Sequence, residues 1–72
     1  MQQEKINVLF GKHLAKLRQA KGLTLEKLAY ENDLSKSTIS RIERGLVDVK
    51  LSTLAKIAEG LDISLDELMK VQ

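Results

Sequence analysis

Apolar residues recur along this chain at helical rather than strand spacing. Ile6, Phe10, Leu14 and Leu17 are separated by four, four and three positions, which makes one stripe along a helix. Lys12, Lys16 and Lys21 fall off that stripe, and Gly22 supplies a stop where left-handed backbone costs least. Thr24 follows as the N-cap of a second helix. The capping-box position holds Lys27 rather than Glu, and Glu26 lies in the first turn, where a carboxylate suits the helix dipole. Leu25, Leu28 and Ala29 give this helix its buried side. Asn32 and Asp33 break it, because both tolerate left-handed geometry and bond their own backbone.

Ser35 is the N-cap of a third helix, which Gly45 closes. A looser stretch, LVDVKLS, offers Asp48 as the local cap for a fourth helix with Leu51, Leu54, Ile57, Ala58 and Leu61 on one face. The segment from Gly60 to Ser64 interrupts it, and Ser64 caps a last short helix through Leu65, Leu68 and Met69. The expectation is an all-α fold of five short helices, one domain over residues 1–72 with a core from about 6 to 69. Two short helices joined by three or four residues outline a helix-turn-helix. Many small bundles share that outline, so the contents of the third helix decide more.

Composition narrows the picture. Seventy-two residues allow one small core, and a partner subunit is a natural source of further stability. Without cysteine there is no disulfide framework, thiolate zinc site or cysteine nucleophile, which fits a reducing cytoplasm. The start, MQQEKINVLF, lacks the basic and apolar regions of a signal peptide, and nothing approaches a membrane span. The net charge is +2, unevenly spread: residues 1–50 carry ten Lys and Arg against six Asp and Glu, residues 51–72 two against four. A basic front and an acidic tail suit an anionic partner met by one face, although scattered surface charge gives the same totals.

The third helix, SKSTISRIERG from Ser35 to Gly45, is sided. At about 100° per residue, Lys36, Ser37, Ser40, Arg41 and Arg44 share one polar arc, with Ile39 and Ile42 almost opposite. Short side chains near the helix start allow close approach to base edges. Arginine donates two bonds to guanine O6 and N7, and serine bonds several edges. Arg44, Lys36 and the free N–H groups of helix starts suit phosphates, which fix position without reading sequence. The plainer alternative is a solvated face that keeps the domain soluble. Glu43 falls beside Ile39, turned from the polar arc, where a carboxylate needs a partner. Arg18, beside the first helix's stripe, is the candidate for a structural pair.

Little else in the chain suggests chemistry. His13 is the sole histidine and shares its surface with no acidic or cysteine cluster, so a place on the helix surface near phosphate fits it better than metal ligation or base catalysis. Ser37, Ser40 and a distant histidine make no triad, because no carboxylate orients the base. No glycine-rich phosphate loop or metal-ligand spacing occurs, which argues against an enzyme, a metal or a cofactor. Tyr30 is expected to pack its ring and leave its hydroxyl wet.

From Phe10 to Leu68 the chain resembles the phage lambda-type repressor and Cro helix-turn-helix family, also called the XRE family. The resemblance rests on FGKHLAKLRQAKGLTLEKLA, LSKSTISRIERG and LSTLAKIAEGLDISLDEL. It implies five helices, a third helix that enters the major groove, and homodimers on inverted-repeat operators in double-stranded DNA. It also pairs the arginine at the position of Arg18 with the glutamate at that of Glu43. Lys36, Ser37 and Arg41 match the family's main base-reading positions, with Ser40 adjacent. Arg44 and Lys50 match positions near the phosphate backbone. Thr24 and Ser35, at the starts of the second and third helices, complete the phosphate-contacting candidates.

The departures are specific. A glutamine that touches a phosphate in the family is Leu25 here. The turn glycine is Asp33, and the usual Asn-Pro-Ser entry to the fourth helix reads Asp48-Val49-Lys50. Leu46 and Val47 make that loop apolar, either as a dimer contact or as core. The expectation is a cytoplasmic, nucleoid-associated regulator that blocks or recruits RNA polymerase, controlled by its own concentration because 72 residues leave no room for a sensing domain. The rival is an antitoxin-type interaction module that covers a toxin through the Leu46–Val49 loop or the acidic last helix.

Overall fold

The computed structural model describes residues 3–71, with side chains from residue 5 onward. Five helices follow in order: α1 (Gln3–Ala20), α2 (Leu25–Glu31), α3 (Lys36–Glu43), α4 (Leu51–Gly60) and α5 (Leu65–Leu68). Among the described residues there is no strand. The all-α, five-helix arrangement expected from the periodicity is the one found.

The helices end alike, for one local reason. Each of the first four closes with a residue at positive φ: Gly22, Asp33, Gly45 and Asp62. At each, that residue's N–H reaches back three positions and the next N–H reaches back five, as in Gly22 to Gln19 at 2.9 Å and Leu23 to Arg18 at 3.1 Å. This satisfies carbonyls that a helix end otherwise leaves unpaired. The residue after the turn is apolar, and Leu23, Leu34 and Ile63 pack against the core. The residue after that is an N-cap: the Thr24, Ser35 and Ser64 side chains accept from the N–H of Lys27, Thr38 and Glu67 at 3.0, 3.1 and 3.1 Å. Gly-Leu-Thr, Asp-Leu-Ser and Asp-Ile-Ser are therefore three versions of one connection.

Gly45 breaks the series, because Leu46 after it is 61% exposed and no cap follows directly. The entry to α4 corrects the expectation for Asp48. Lys50 occupies the N-cap with no side-chain bond, whereas the Asp48 carboxylate accepts from Asn7 Nδ2 on α1 at 2.8 Å. The stop of α4 also shifts. Gly60 remains in the helix and is required to be glycine by the Asn32 side chain, which lies where a Cβ would be, and Asp62 makes the turn.

Leu14, Leu28, Ile39, Ile57, Leu61 and Leu68 are almost wholly enclosed, with Phe10, Ala29, Ile42, Leu54 and Ala58 around them. All five helices contribute, so removing any one opens the core. Each such aliphatic side chain contributes about 1.5–3 kcal/mol by leaving water. The helix contacts run α1 to α3, α2 to α3, α2 to α4 and α4 to α5, which places α3 against both α1 and α2. Three expected core contributors lie further out. Leu51 is 70% exposed because α4 begins there, beyond the edge of the core, and Ile6 and Met69 also remain exposed at the helix ends. Tyr30 is 86% exposed, so its ring does not pack as expected.

Candidate nucleic-acid interface

The α2–turn–α3 unit is built on its anchors. Ile39 and Ile42 are buried, which fixes the rotation of α3 and leaves Lys36, Ser37 and Arg41 exposed and Ser40 half-buried. In the turn, Asn32 Nδ2 donates to Leu28 O at 2.8 Å and Leu34 N to Ala29 O at 2.9 Å. Asp33 holds φ +58, doing with an aspartate what glycine does at less cost.

Ser35 does more than cap. Its hydroxyl lies 2.7 Å from the Thr38 hydroxyl and 3.3 Å from that of Ser37. Arg41 Nη2 donates to Ser37 Oγ at 3.4 Å, and Arg44 Nε donates to Ser40 O at the same distance. These long, exposed bonds hold the two arginines along the helix while leaving most of their donors unused. Ser35, Lys36, Ser37, Ser40, Arg41 and Arg44 are thus brought into one strip. Lys50 lines a cleft with Leu34 and Thr38, beside the same helix. Thr24 stands at the neighbouring start of α2.

The far end of α3 is locked to α1. Arg18 Nε donates to Glu43 Oε2 at 2.6 Å and Nη2 to Oε1 at 3.1 Å, while Nη1 donates to Leu23 O at 2.8 Å. The two side chains are 13% and 12% exposed. The hydrogen bonds and the charge of Glu43 raise the Arg18 pKa against the opposing effect of burial. Glu43 is thereby turned inward and neutralised, as its angular position predicted. About two turns earlier on α1, Gly11 lets the two helices touch: a Cβ there would lie 2.5 Å from the carbonyl oxygens of both Ile42 and Glu43.

Sequence reasoning missed three features. Gly11 gave no periodic signal, since its role appears only where α1 crosses α3. Glu26 lies with Oε1 3.7 Å from Lys36 Nζ, an acid beside the strip that no spacing rule within one helix could reveal. His13 corrects the expectation of a residue near phosphate: its Nε2 is 2.8 Å from the carbonyl oxygen of Leu68, so it fastens α5 to α1. The apolar loop divides, with Leu46 outward and Val47 and Val49 packed on the core. Among the described residues no group of acidic, histidine or cysteine side chains could hold a metal ion, and no helix is long and apolar enough to cross a membrane.

A family model described as helix-turn-helix matches residues 14–68, which include α2, the turn and α3. The chain belongs to the XRE helix-turn-helix family. It is 38% identical over 65 residues to the control protein C.BamHI of Bacillus amyloliquefaciens, covering 89% of this chain and 80% of that one. It is 44% identical over 64 residues to the control protein C.MunI of a Mycoplasma species, covering 88% and 86%. Among solved structures it is similar to the restriction-modification controller protein C.AhdI of Aeromonas hydrophila, with a TM-score of 0.91 and 39% identity over 96% of this chain and 100% of that one. The family is one of DNA-binding transcription regulators and not an enzyme class, and this chain is a transcriptional regulator of that type.

Proposed function

We propose that this regulator binds an inverted-repeat operator as a homodimer, with α3 in the major groove, and controls a restriction-modification operon. The observation that carries the reading is the strip on α3. Lys36, Ser37, Ser40 and Arg41 read bases from a helix whose other side is buried through Ile39 and Ile42. Thr24, Ser35, Arg44 and Lys50 hold phosphates and set the register. The likeness to C.BamHI, C.MunI and C.AhdI supports the operon assignment.

Pairing has a physical basis in the surface. Ile6, Phe10, Val49, Leu54, Met69 and Val71 line an apolar groove of about 300 Å³, with Ile6 and Met69 exposed at its mouth. A second copy is a natural cover for such a surface on a chain this small. Bound to its operator in the cytoplasm, on the nucleoid, the dimer blocks or recruits RNA polymerase.

Selection of bound duplexes from a random pool tests this directly. The expected product is an inverted repeat with half-sites about one helical turn, or a multiple of it, apart. Affinity for that product should fall steeply with salt through counterion release. A protein that selects nothing, and binds no duplex even at low salt, is not this regulator.

A further inference from the structure

We propose that Glu26 is a specificity-determining residue, acting on DNA through Lys36; the inference rests on the DNA-binding reading above. Glu26 is the second residue of α2 and Lys36 the first of α3. The packing of α2 on α3 sets these two helix starts side by side, with Lys36 Nζ 3.7 Å from Glu26 Oε1. The side chains are 59% and 72% exposed, so water screens the pair and it contributes little to folding. Its meaning lies in its place. Glu43, the acid within α3 itself, is already consumed by Arg18. Glu26 instead leaves a carboxylate open to solvent, next to the first cation of the strip that meets the polyanion.

A lysine ammonium alone discriminates poorly, because a compact charge with three freely rotating donors satisfies a phosphate as readily as a guanine edge. The carboxylate changes the choice. Moving Nζ onto a phosphate leaves Glu26 unpaired beside DNA, where it is repelled. Keeping Nζ beside Glu26, as an ion pair at 3.7 Å, leaves its N–H donors free for the O6 and N7 acceptors of a guanine in the groove. An adenine at the same pair offers N7 but sets an N6 donor against the ammonium. Glu26 thus penalises random sequence more than the operator.

The test compares Glu26→Gln with the unmodified protein on two probes: the duplex selected from the random pool, and a random-sequence duplex of equal length. Gln preserves length and polarity at an exposed position, and thermal melting checks that the fold is kept. Random-duplex affinity should rise roughly three- to tenfold, with a salt slope steeper by about one ion, while operator affinity changes less than twofold. In a Lys36→Gln background, the same change should shift both probes equally. If Glu26→Gln raises affinity for both probes by the same factor, the carboxylate is mere background charge and the proposal fails. It also fails if neither affinity moves, or if the effect on discrimination survives loss of Lys36. Failure of the DNA-binding reading would look different: the unmodified protein would then not distinguish the two duplexes at all.

Discussion

Arg18 on α1 grips Glu43 at the end of α3 with two hydrogen bonds, 2.6 and 3.1 Å long, and spends its remaining nitrogen on the carbonyl of Leu23. One guanidinium therefore ties α1, α3 and the α1–α2 turn together. With both side chains only 12–13% exposed, removal of either leaves the other charged in a poorly solvated place. Glu43→Gln and Arg18→Gln should each cost about 2–3 kcal/mol in urea unfolding, and the double variant much less than their sum. Additive losses would show that the pair is not coupled. The Arg18 pKa is raised, so its protonated form is favoured by folding. The contribution is then fully present below the ordinary arginine range and lost only as pH climbs through the raised value. From about pH 7 to 9 the gap between Arg18→Gln and the unmodified protein should accordingly stay constant, because arginine keeps its proton throughout.

Gly11 and Gly22 separate two reasons for using glycine. A Cβ on Gly11 collides with backbone oxygens of Ile42 and Glu43, which cannot move without moving α3. Gly11→Ala should therefore cost about 1–3 kcal/mol by overpacking, despite the higher helix propensity of alanine. Gly22 stands in open space at φ +70, so Gly22→Ala meets only the backbone penalty of about 1–2 kcal/mol. Amide exchange distinguishes them: Gly11→Ala should weaken protection across α3, and Gly22→Ala only around the first turn. The same pattern from both variants would contradict the collision.

The α4 entry is a place where stability and binding should trade. Lys50 has the backbone of an N-cap, φ −65 and ψ 148, but makes no side-chain cap bond. Lys50→Ser should raise the melting temperature through a gain of about 0.5–1 kcal/mol, because serine accepts from the first free N–H groups. The same variant should bind all DNA sequences more weakly, with a salt slope shallower by about one ion. A stabilised variant with undiminished DNA affinity would remove Lys50 from the phosphate contacts.

Much of this was legible in the sequence because its causes are local. Thr24, Ser35 and Ser64 announce helix starts, and Gly22, Asp33 and Gly45 announce stops, through bonds that close within a few residues. Even the Arg18–Glu43 pair could be anticipated, since a carboxylate turned from the polar arc of α3 demands a cation. What escaped notice joins residues far apart in the chain. Asn7 takes Asp48 away from capping, His13 finds Leu68, and Asn32 fills the space a side chain on Gly60 would need. Helical periodicity also says which face is apolar but not where the core ends, so Leu51 shares the apolar face of α4 and yet lies outside the core. For the interface, the angular arc found the strip on α3, while Glu26 required the packing of α2 beside it.

Arg41 offers the sharpest separation of reading from holding. It projects from the exposed side of α3, steadied by a long bond to Ser37, with its other donors unused. A guanidinium so placed can make two bonds to a guanine, an arrangement no other base pair reproduces. Arg41→Ala should cost about 1–3 kcal/mol on the selected operator and flatten the preference at one position of each half-site. On random duplex the loss should be smaller, limited to one released counterion. Lys50→Ala should instead lower affinity for both duplexes by a common factor and leave every position of the selected motif intact. Repeating the selection with each variant measures both effects at once. Were Arg41→Ala to return the original motif unchanged, Arg41 would belong with the phosphate contacts, and the reading edge would contract to Lys36, Ser37 and Ser40.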